Sequence, residues 1–455
     1  MDTIGTLKAA KPASANASSR RERSITVTAS ATHSAIEAVW RIESAKVIAG
    51  LARRVRDVGL AEELAQDAFL AALETWPGTG VPDNPGAWLM ATAKNRALDH
   101  FRRDKLLERK HEELAGEMEL EQEIATADRE AALVERLDDD IGDDLLRLVF
   151  VACHPVLSTE ARAALTLRLL CGLTTDEIAR AFLVPEPTIA QRIVRAKRTL
   201  AETRVPFEVP RKNELAPRFA SVLEVVYLVF NEGYSATAGE DWMRPALCEE
   251  ALRLGRILAE LAPRQPEVHG LVALMEIQAS RALARVGPSG EPILLLDQDR
   301  SRWDHLLVRR GLAALARAEQ LGGRLGPYAL EAAIAACHAR SRTAEETDWT
   351  RIAALYDALA QIAPSPVVEL NRAVAVAMAF GPAEGLALVD ALASEPALKH
   401  YHLLPAVRGD LLVKLGRLDA ARAEFERAAS LTRNAREKKL LLDRAVASHK
   451  FGVVK

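Results

Sequence analysis

The chain has 455 residues, 49% of them apolar, 27% charged and 5% aromatic, and a formal charge of −3. That length exceeds one hydrophobic core and predicts several domains, while the lack of a long uncharged apolar run predicts no membrane span. Four cysteines, Cys153, Cys171, Cys248 and Cys337, have no paired spacing, which argues against a disulfide framework and a zinc site and predicts a reducing cytoplasm.

Residues 1–33 are rich in Ala, Ser and Lys/Arg but have no apolar core, so they read as a disordered tail and not a secretory signal. From residue 34 onward apolar residues recur at three and four with no sustained alternation, which predicts an all-α fold without strands. The first folded unit spans 34–107. Its first helix, AIEAVWRIESAKVIAGLARRVRD, ends near Gly59. Its second, LAEELAQDAFLAALETW, sets Leu60, Leu64, Ala68 and Leu73 against an opposite face of Glu62, Glu63, Gln66 and Asp67. The loop PGTGVPDNPG stops it. In the third, NPGAWLMATAKNRALDHFRRDK, an apolar stripe of Trp88, Leu89, Ala93, Ala97 and Phe101 leaves Lys94, Arg102 and Lys105 on another face.

Between Glu108 and Asp144, 15 acidic residues oppose four basic ones, a local balance of −11 that marks 108–143 as an acidic linker. The next unit, 144–205, breaks into a helix to Leu170, a stop at Gly172, a short helix from Thr175 to Phe182, a Val-Pro-Glu-Pro turn and a helix from Pro187. Thr174 or Thr175 caps the short helix and acids fill its first turn, where the helix dipole favours them. Two short helices about a tight turn predict a helix-turn-helix. Its second helix bears Thr188, Gln191, Arg192, Arg195, Lys197 and Arg198. Gln and Arg suit base edges, and the later cations suit phosphates.

The remainder, 206–455, shows weak internal repetition. LPAVRGDLLVKLGRLDAARAEFERAASLT places Gly409, Leu412, Gly416, Leu418, Ala421, Phe425 and Ala428 at the offsets of a tetratricopeptide repeat. DWTRIAALYDALAQIAPSP and CEEALRLGRILAELAPRQP fit parts of further repeats, with an irregular insertion near GPSGEPILLLDQDRSRWDH. Stacked helix pairs follow. The neighbours Cys153-His154 and Cys337-His338 diverge by about 100° on a helix and cannot converge on one atom, so these thiols read as inert and buried. With no phosphate-binding Gly loop, no GxSxG and no HExxH, the sequence predicts no catalytic residues, cofactor or metal.

Two cationic helices separated by an acidic tether, with Ala61-Glu62-Glu63-Leu64-Ala65-Gln66-Asp67-Ala68, Pro85-Gly86-Ala87-Trp88-Leu89 and Ala93-Lys94-Asn95-Arg96, together resemble a group IV, extracytoplasmic-function sigma factor of RNA polymerase. The stretch from Arg211 to Leu254 resembles a subgroup with a tetratricopeptide-like extension. The resemblance implies that Glu62, Glu63, Gln66 and Asp67 dock on the clamp helices of the polymerase's largest subunit. It implies that Lys94, Asn95, Arg96, Asp99, Arg102 and Arg103 hold the minus-ten element, and that Thr188, Gln191, Arg192, Arg195, Lys197 and Arg198 read the minus-thirty-five element. It further implies control of activity by the extension through an intramolecular or protein partner. The alternative is a helical-repeat adaptor that binds nucleic acid or proteins nonspecifically. Asn231-Glu232-Gly233-Tyr234 is either a ligand or interdomain contact or a plain helix end with Gly233 as left-handed cap.

Overall fold

The computed structural model describes residues 16–112, 137–182, 184–236 and 238–452. Residues 1–15 of the expected tail and 113–136 of the expected linker lie outside the described residues. The chain divides into two compact units: Met1–Val151 with Leu167–Leu173 and Lys197–Glu208, and Ala152–Thr166 with Thr174–Ala196 and Val209–Lys455. The stretch 144–205, which the sequence presents as one domain, thus contributes to both.

In the first unit, α1 (Asn16–Val55), α2 (Val58–Thr79) and α3 (Pro85–Glu112) pack as a three-helix module. Helix α1 starts well inside the stretch expected to be a tail. Helix α1 buries Ile48, Leu51 and Ala52, α2 buries Ala61, Leu64, Ala68 and Trp76, and α3 buries Leu89 and Ala93. The first helix ends earlier than expected. Arg56 takes a positive φ of 55° and Asp57 caps α2 by accepting from the Leu60 amide at 3.0 Å, so Gly59 lies inside the next helix. Asn84 does the same for α3, accepting from the Ala87 amide at 3.0 Å.

Helix α4 (Leu137–Ala152) begins within the expected linker and buries Leu148 and Phe150. After it come α5 (Thr159–Leu169), ending one residue before Leu170, α6 (Thr175–Phe182), on its expected bounds, and α7 (Glu186–Glu202), starting one residue before Pro187. Gly172 is required twice over. Its φ of +67° disfavours a side chain, and an added Cβ would lie 2.9 Å from the Ser44 hydroxyl of α1. Thr174 and Glu177 form a reciprocal capping box: Thr174 Oγ1 accepts from the Glu177 amide at 3.1 Å, and Glu177 accepts from the Thr174 amide at 2.8 Å.

In the second unit, α8 (Lys212–Tyr234), α9 (Pro245–Leu261), α10 (Pro266–Ala279), α11 (His305–Gln320) and α12 (Pro327–Arg340) lead into α13 (Trp349–Ile362), α14 (Pro366–Phe380) and α15 (Pro382–Ala391). Helices α16 (Leu403–Lys414), α17 (Leu418–Leu431) and α18 (Ala435–Gly452) complete it. Successive helices pack pairwise, and Pro245, Pro266, Pro327, Pro366 and Pro382 start theirs where the missing N–H costs nothing. Leu412, Ala421, Phe425 and Ala428 form the α16–α17 core at the offsets named above. The irregular insertion is two antiparallel bridge residues and three short 3₁₀ turns between α10 and α11.

One pairing escaped the sequence. β1 (Ala238–Gly239) lies parallel to β2 (Arg433–Asn434), far apart along the chain. The buried Asn434 side chain donates to the carbonyls of Ala236 at 3.1 Å and Asp241 at 2.9 Å, which ties the α8–α9 loop to the α17–α18 joint.

Candidate nucleic-acid interface

Helix α3 carries its charge where the core stripe does not reach. Asn95, Arg96, Asp99, Arg102 and Arg103 are all exposed, Lys94 is half-buried, and Arg102 lies 3.7 Å from Asp99 on the same side. The stripe runs through Leu89, Ala93 and Ala97 and stops there: Phe101, expected in the core, is 43% exposed and stacks on His100. Trp88 is half-buried with its edge on the buried Trp76, ring centroids 5.2 Å apart. An exposed arc of amide, guanidinium and aromatic groups can take up a strand by phosphate pairing and base stacking.

Helix α7 presents Thr188, Gln191, Arg195 and Arg198 to solvent, while Arg192 is half-buried. Ile189, Ile193, Ala196 and Leu200 anchor the opposite face. Arg198 has an exposed i,i+4 partner in Glu202 at 2.7 Å, a pair of little energetic weight that a phosphate can displace. Sequence reasoning missed Val194, which is 63% exposed at the centre of this polar face. Its signal was visible: a β-branched apolar residue at i+3 from Gln191, off the Ile189-Ile193-Ala196 stripe.

The acidic face of α2 differs from its sequence expectation at one position. Glu63 and Asp67 are exposed and Gln66 is partly so, but Glu62 is 2% exposed. Arg168 Nε lies 2.5 Å from Glu62 Oε1, Lys197 pairs with the other oxygen, and the Gln66 amide donates to Oε1. Arg168 also donates to the Leu173 carbonyl at 3.2 Å. Glu62 of α2 is thus held by Arg168 and Lys197, from the segments 167–173 and 197–208 of the same unit, which no periodicity within α2 reveals. Lys197, expected on the promoter face, is therefore engaged with α2.

The helix-turn-helix is also built into the second unit. Arg162 of α5 donates to Ser221 Oγ at 2.5 Å and pairs with Glu224 at 3.0 Å on α8, and Ser221 donates to the Cys153 carbonyl at 2.6 Å. Arg244 bonds the Ala181 carbonyl at the end of α6 and Glu232 of α8. Gly233 is not a left-handed cap. It lies within α8, where an added Cβ would come within 2.6 Å of the Cys248 amide nitrogen of α9, and the helix ends at Ser235. Tyr234 accepts from Arg281 at 2.6 Å, and the Arg285 guanidinium lies 3.5 Å from its ring centroid.

All four cysteines are buried. Burial pushes the Cys153 thiol up to about 11 and Cys248 to about 12, so neither is a thiolate near neutrality. Among the described residues there is no cluster of His, Cys, Asp and Glu that could hold a metal, and no helix is long and apolar enough to cross a membrane.

Comparison with known proteins covers both of these helices, α3 and α7. Residues 43–106 match the model of sigma-70 region 2, residues 147–200 that of sigma-70 region 4, and residues 218–319 a family of unknown function. An uncharacterized protein of Rhizobium meliloti is 44% identical over 394 residues, 86% of this chain and 90% of that protein. The probable ECF RNA polymerase sigma factor SigI of Mycobacterium tuberculosis is 26% identical over 41% of this chain and 61% of its own length. The ECF RNA polymerase sigma factor BldN of Streptomyces coelicolor is 31% identical over 32% of this chain and 52% of its own length. No solved structure gives a significant match. The chain belongs to the extracytoplasmic-function sigma factors, the class that confers promoter-specific transcription. It is a member in which region 4 is followed by the segment of unknown function and a long helical extension.

Proposed function

We propose that this protein binds RNA polymerase core in the cytoplasm and places it at promoters by two separate contacts. Helix α3 holds the minus-ten element through Lys94, Asn95, Arg96, Asp99, Arg102 and Arg103, with Phe101 as an additional stacking plane. Helix α7 reads the minus-thirty-five element through Thr188, Gln191, Arg192, Arg195 and Arg198, joined by Lys197 once it leaves α2. The face of Glu62, Glu63, Gln66 and Asp67 docks on the clamp helices of the largest subunit. Catalysis of RNA synthesis belongs to the polymerase.

The observation that carries this reading is the pair of cationic faces on α3 and α7, with Asn95, Arg96, Arg102 and Arg103 exposed on one and Thr188, Gln191, Arg195 and Arg198 on the other, each helix anchored by buried apolar residues. Binding of this kind rests on phosphate neutralisation for affinity and on base-edge contacts for selection. The extension modulates promoter use by steadying the helix-turn-helix: Arg162 and Arg244 fix α5 and the end of α6 to α8 and to the start of α9.

The test is run-off transcription with purified core polymerase and genomic DNA, with starts mapped by sequencing. New start sites that share two spaced elements are expected when the protein is added. An identical set of starts with and without it refutes the reading.

A further inference from the structure

The irregular insertion between α10 and α11, which the promoter reading leaves without a role, gathers three arginines. Arg281 and Arg285 follow the end of α10, and Arg300 opens the last 3₁₀ turn before Trp303. Their guanidiniums share aromatic rings. Arg281 Cζ lies 5.7 Å from the Tyr234 ring centroid and 5.8 Å from that of Trp303, while Arg285 lies 3.5 Å from Tyr234 and Arg300 5.3 Å from Trp303.

Buried cations are ordinarily paired with carboxylates. Among the described residues none of these three arginines forms an ion pair; they bond neutral oxygens instead. Arg281 donates to the Tyr234 hydroxyl and to Gln278, and Arg285 to the Tyr234 carbonyl. Arg300 donates to the carbonyls of His338 at 2.7 Å and Ser341 at 2.8 Å and to Thr347 Oγ1 at 3.0 Å. Burial lowers the pKa of Arg285 and Arg300, the Arg281 charge lowers each further, and the exposed Glu345 and Glu346 offset part of this at Arg300. Burial, with Arg281 and Arg300, also lowers the pKa of the His338 imidazole. Four buried nitrogens of this group, Arg281 Nε, Arg300 Nε, Trp303 Nε1 and His338 Nδ1, make no hydrogen bond. Trp303 is 5% exposed and His338 7%, so their nitrogens are shielded from bulk water, and a buried polar group without a partner is costly.

We propose that Arg281, Arg285 and Arg300, with the ring nitrogens of Trp303 and His338, bind the phosphate group of a small molecule. Three guanidiniums call for more than one negative charge, and their planar forks match phosphate oxygens two at a time. The rings of Tyr234 and Trp303 already contact guanidiniums, so the site offers donors and charge and not a stacking face for a base. A bound phosphate ties the segment after α10, the insertion and α12 to one ligand.

The test is isothermal titration calorimetry of the full-length protein with inorganic phosphate, at constant ionic strength made up with sodium chloride. Saturable binding at one site is expected. Arg281→Gln should raise the Kd at least about tenfold, as loss of a hydrogen bond to a charged group does. Trp303→Phe keeps a ring and drops the N–H, and should also raise the Kd about tenfold, so the result does not depend on one variant folding. Arg195→Ala, on the cationic face of α7, should bind phosphate as the unaltered protein does. No binding by the unaltered protein, or an unchanged Kd in both Arg281→Gln and Trp303→Phe, overturns the site. Loss of binding in Arg195→Ala alone assigns the phosphate to α7 and overturns it equally. Sodium acetate in place of phosphate should give only heat of dilution, and binding as tight as that of phosphate refutes the assignment to a multiply charged anion. Glycerol phosphate distinguishes the sources: tighter binding than inorganic phosphate marks a phosphorylated metabolite as the ligand, and weaker binding marks the free ion.

Discussion

On the proposed role of α7 as the minus-thirty-five reader, Val194 offers a direct measurement of how that helix selects sequence. A valine 63% exposed amid Gln191, Arg195 and Arg198 has no packing reason to be apolar. In the major groove the complementary apolar group is the thymine 5-methyl. Removing one methyl-sized contact from water contributes about 0.8 kcal/mol, which is about fourfold in Kd. Replacing each thymine of the minus-thirty-five element in turn by deoxyuridine should therefore weaken binding about fourfold at one position and leave the others nearly unchanged. In Val194→Ala that position should become insensitive. The exposed site and the better helix propensity of alanine protect the fold, so the variant isolates the contact. Fluorescence anisotropy on the four protein–duplex combinations gives the coupling free energy as a double-mutant cycle. A coupling near zero, with deoxyuridine costing the same in both proteins, refutes the reasoning.

Three further outcomes follow from geometry. Thr174→Ala removes one half of the capping box at the start of α6 and should cost about 1 kcal/mol by urea denaturation, with Thr174→Ser recovering most of it. Asn434→Ala leaves the carbonyls of Ala236 and Asp241 without their buried donor and should cost about 1–3 kcal/mol, read as faster amide exchange over residues 236–241 and 433–436 with little change in α10. Burial, reinforced by Arg281 and Arg300, lowers the His338 imidazole from 6.5 to about 4. The unfolded chain takes up this proton below about pH 6.5 and the folded chain only near 4, so stability is full above that window and falls by at most about 3 kcal/mol as pH drops through it. His338→Gln should flatten the pH profile of denaturant midpoints, leaving the smaller slope from His154, which burial also lowers to about 4.

The boundaries of α6 and α7 and the stop at Gly172 were legible because local chemistry sets them: a Thr-to-Glu capping box, a proline at a helix start, a glycine where φ is positive. The cationic faces of α3 and α7 were legible for a similar reason, since periodicity assigns each residue to a side of its own helix. The helix pair around Phe425 followed from small and large residues at repeat offsets.

Periodicity is silent about what a second face meets. Glu62 sits at the same angular position whether water or Arg168 and Lys197 surround it, and these partners lie more than a hundred residues away. Phe101 obeys the apolar stripe of α3 yet reaches solvent. The joining of Asn434 to residues 236 and 241 is likewise a matter of how successive helix pairs accumulate rotation, to which each pair contributes only a little. By itself the sequence determined the bounds of α6, its capping box and the two charged faces, because these depend on neighbours within a few residues. Only the tertiary structure decided which charges are free and which are held, because that depends on distant segments brought together by burial.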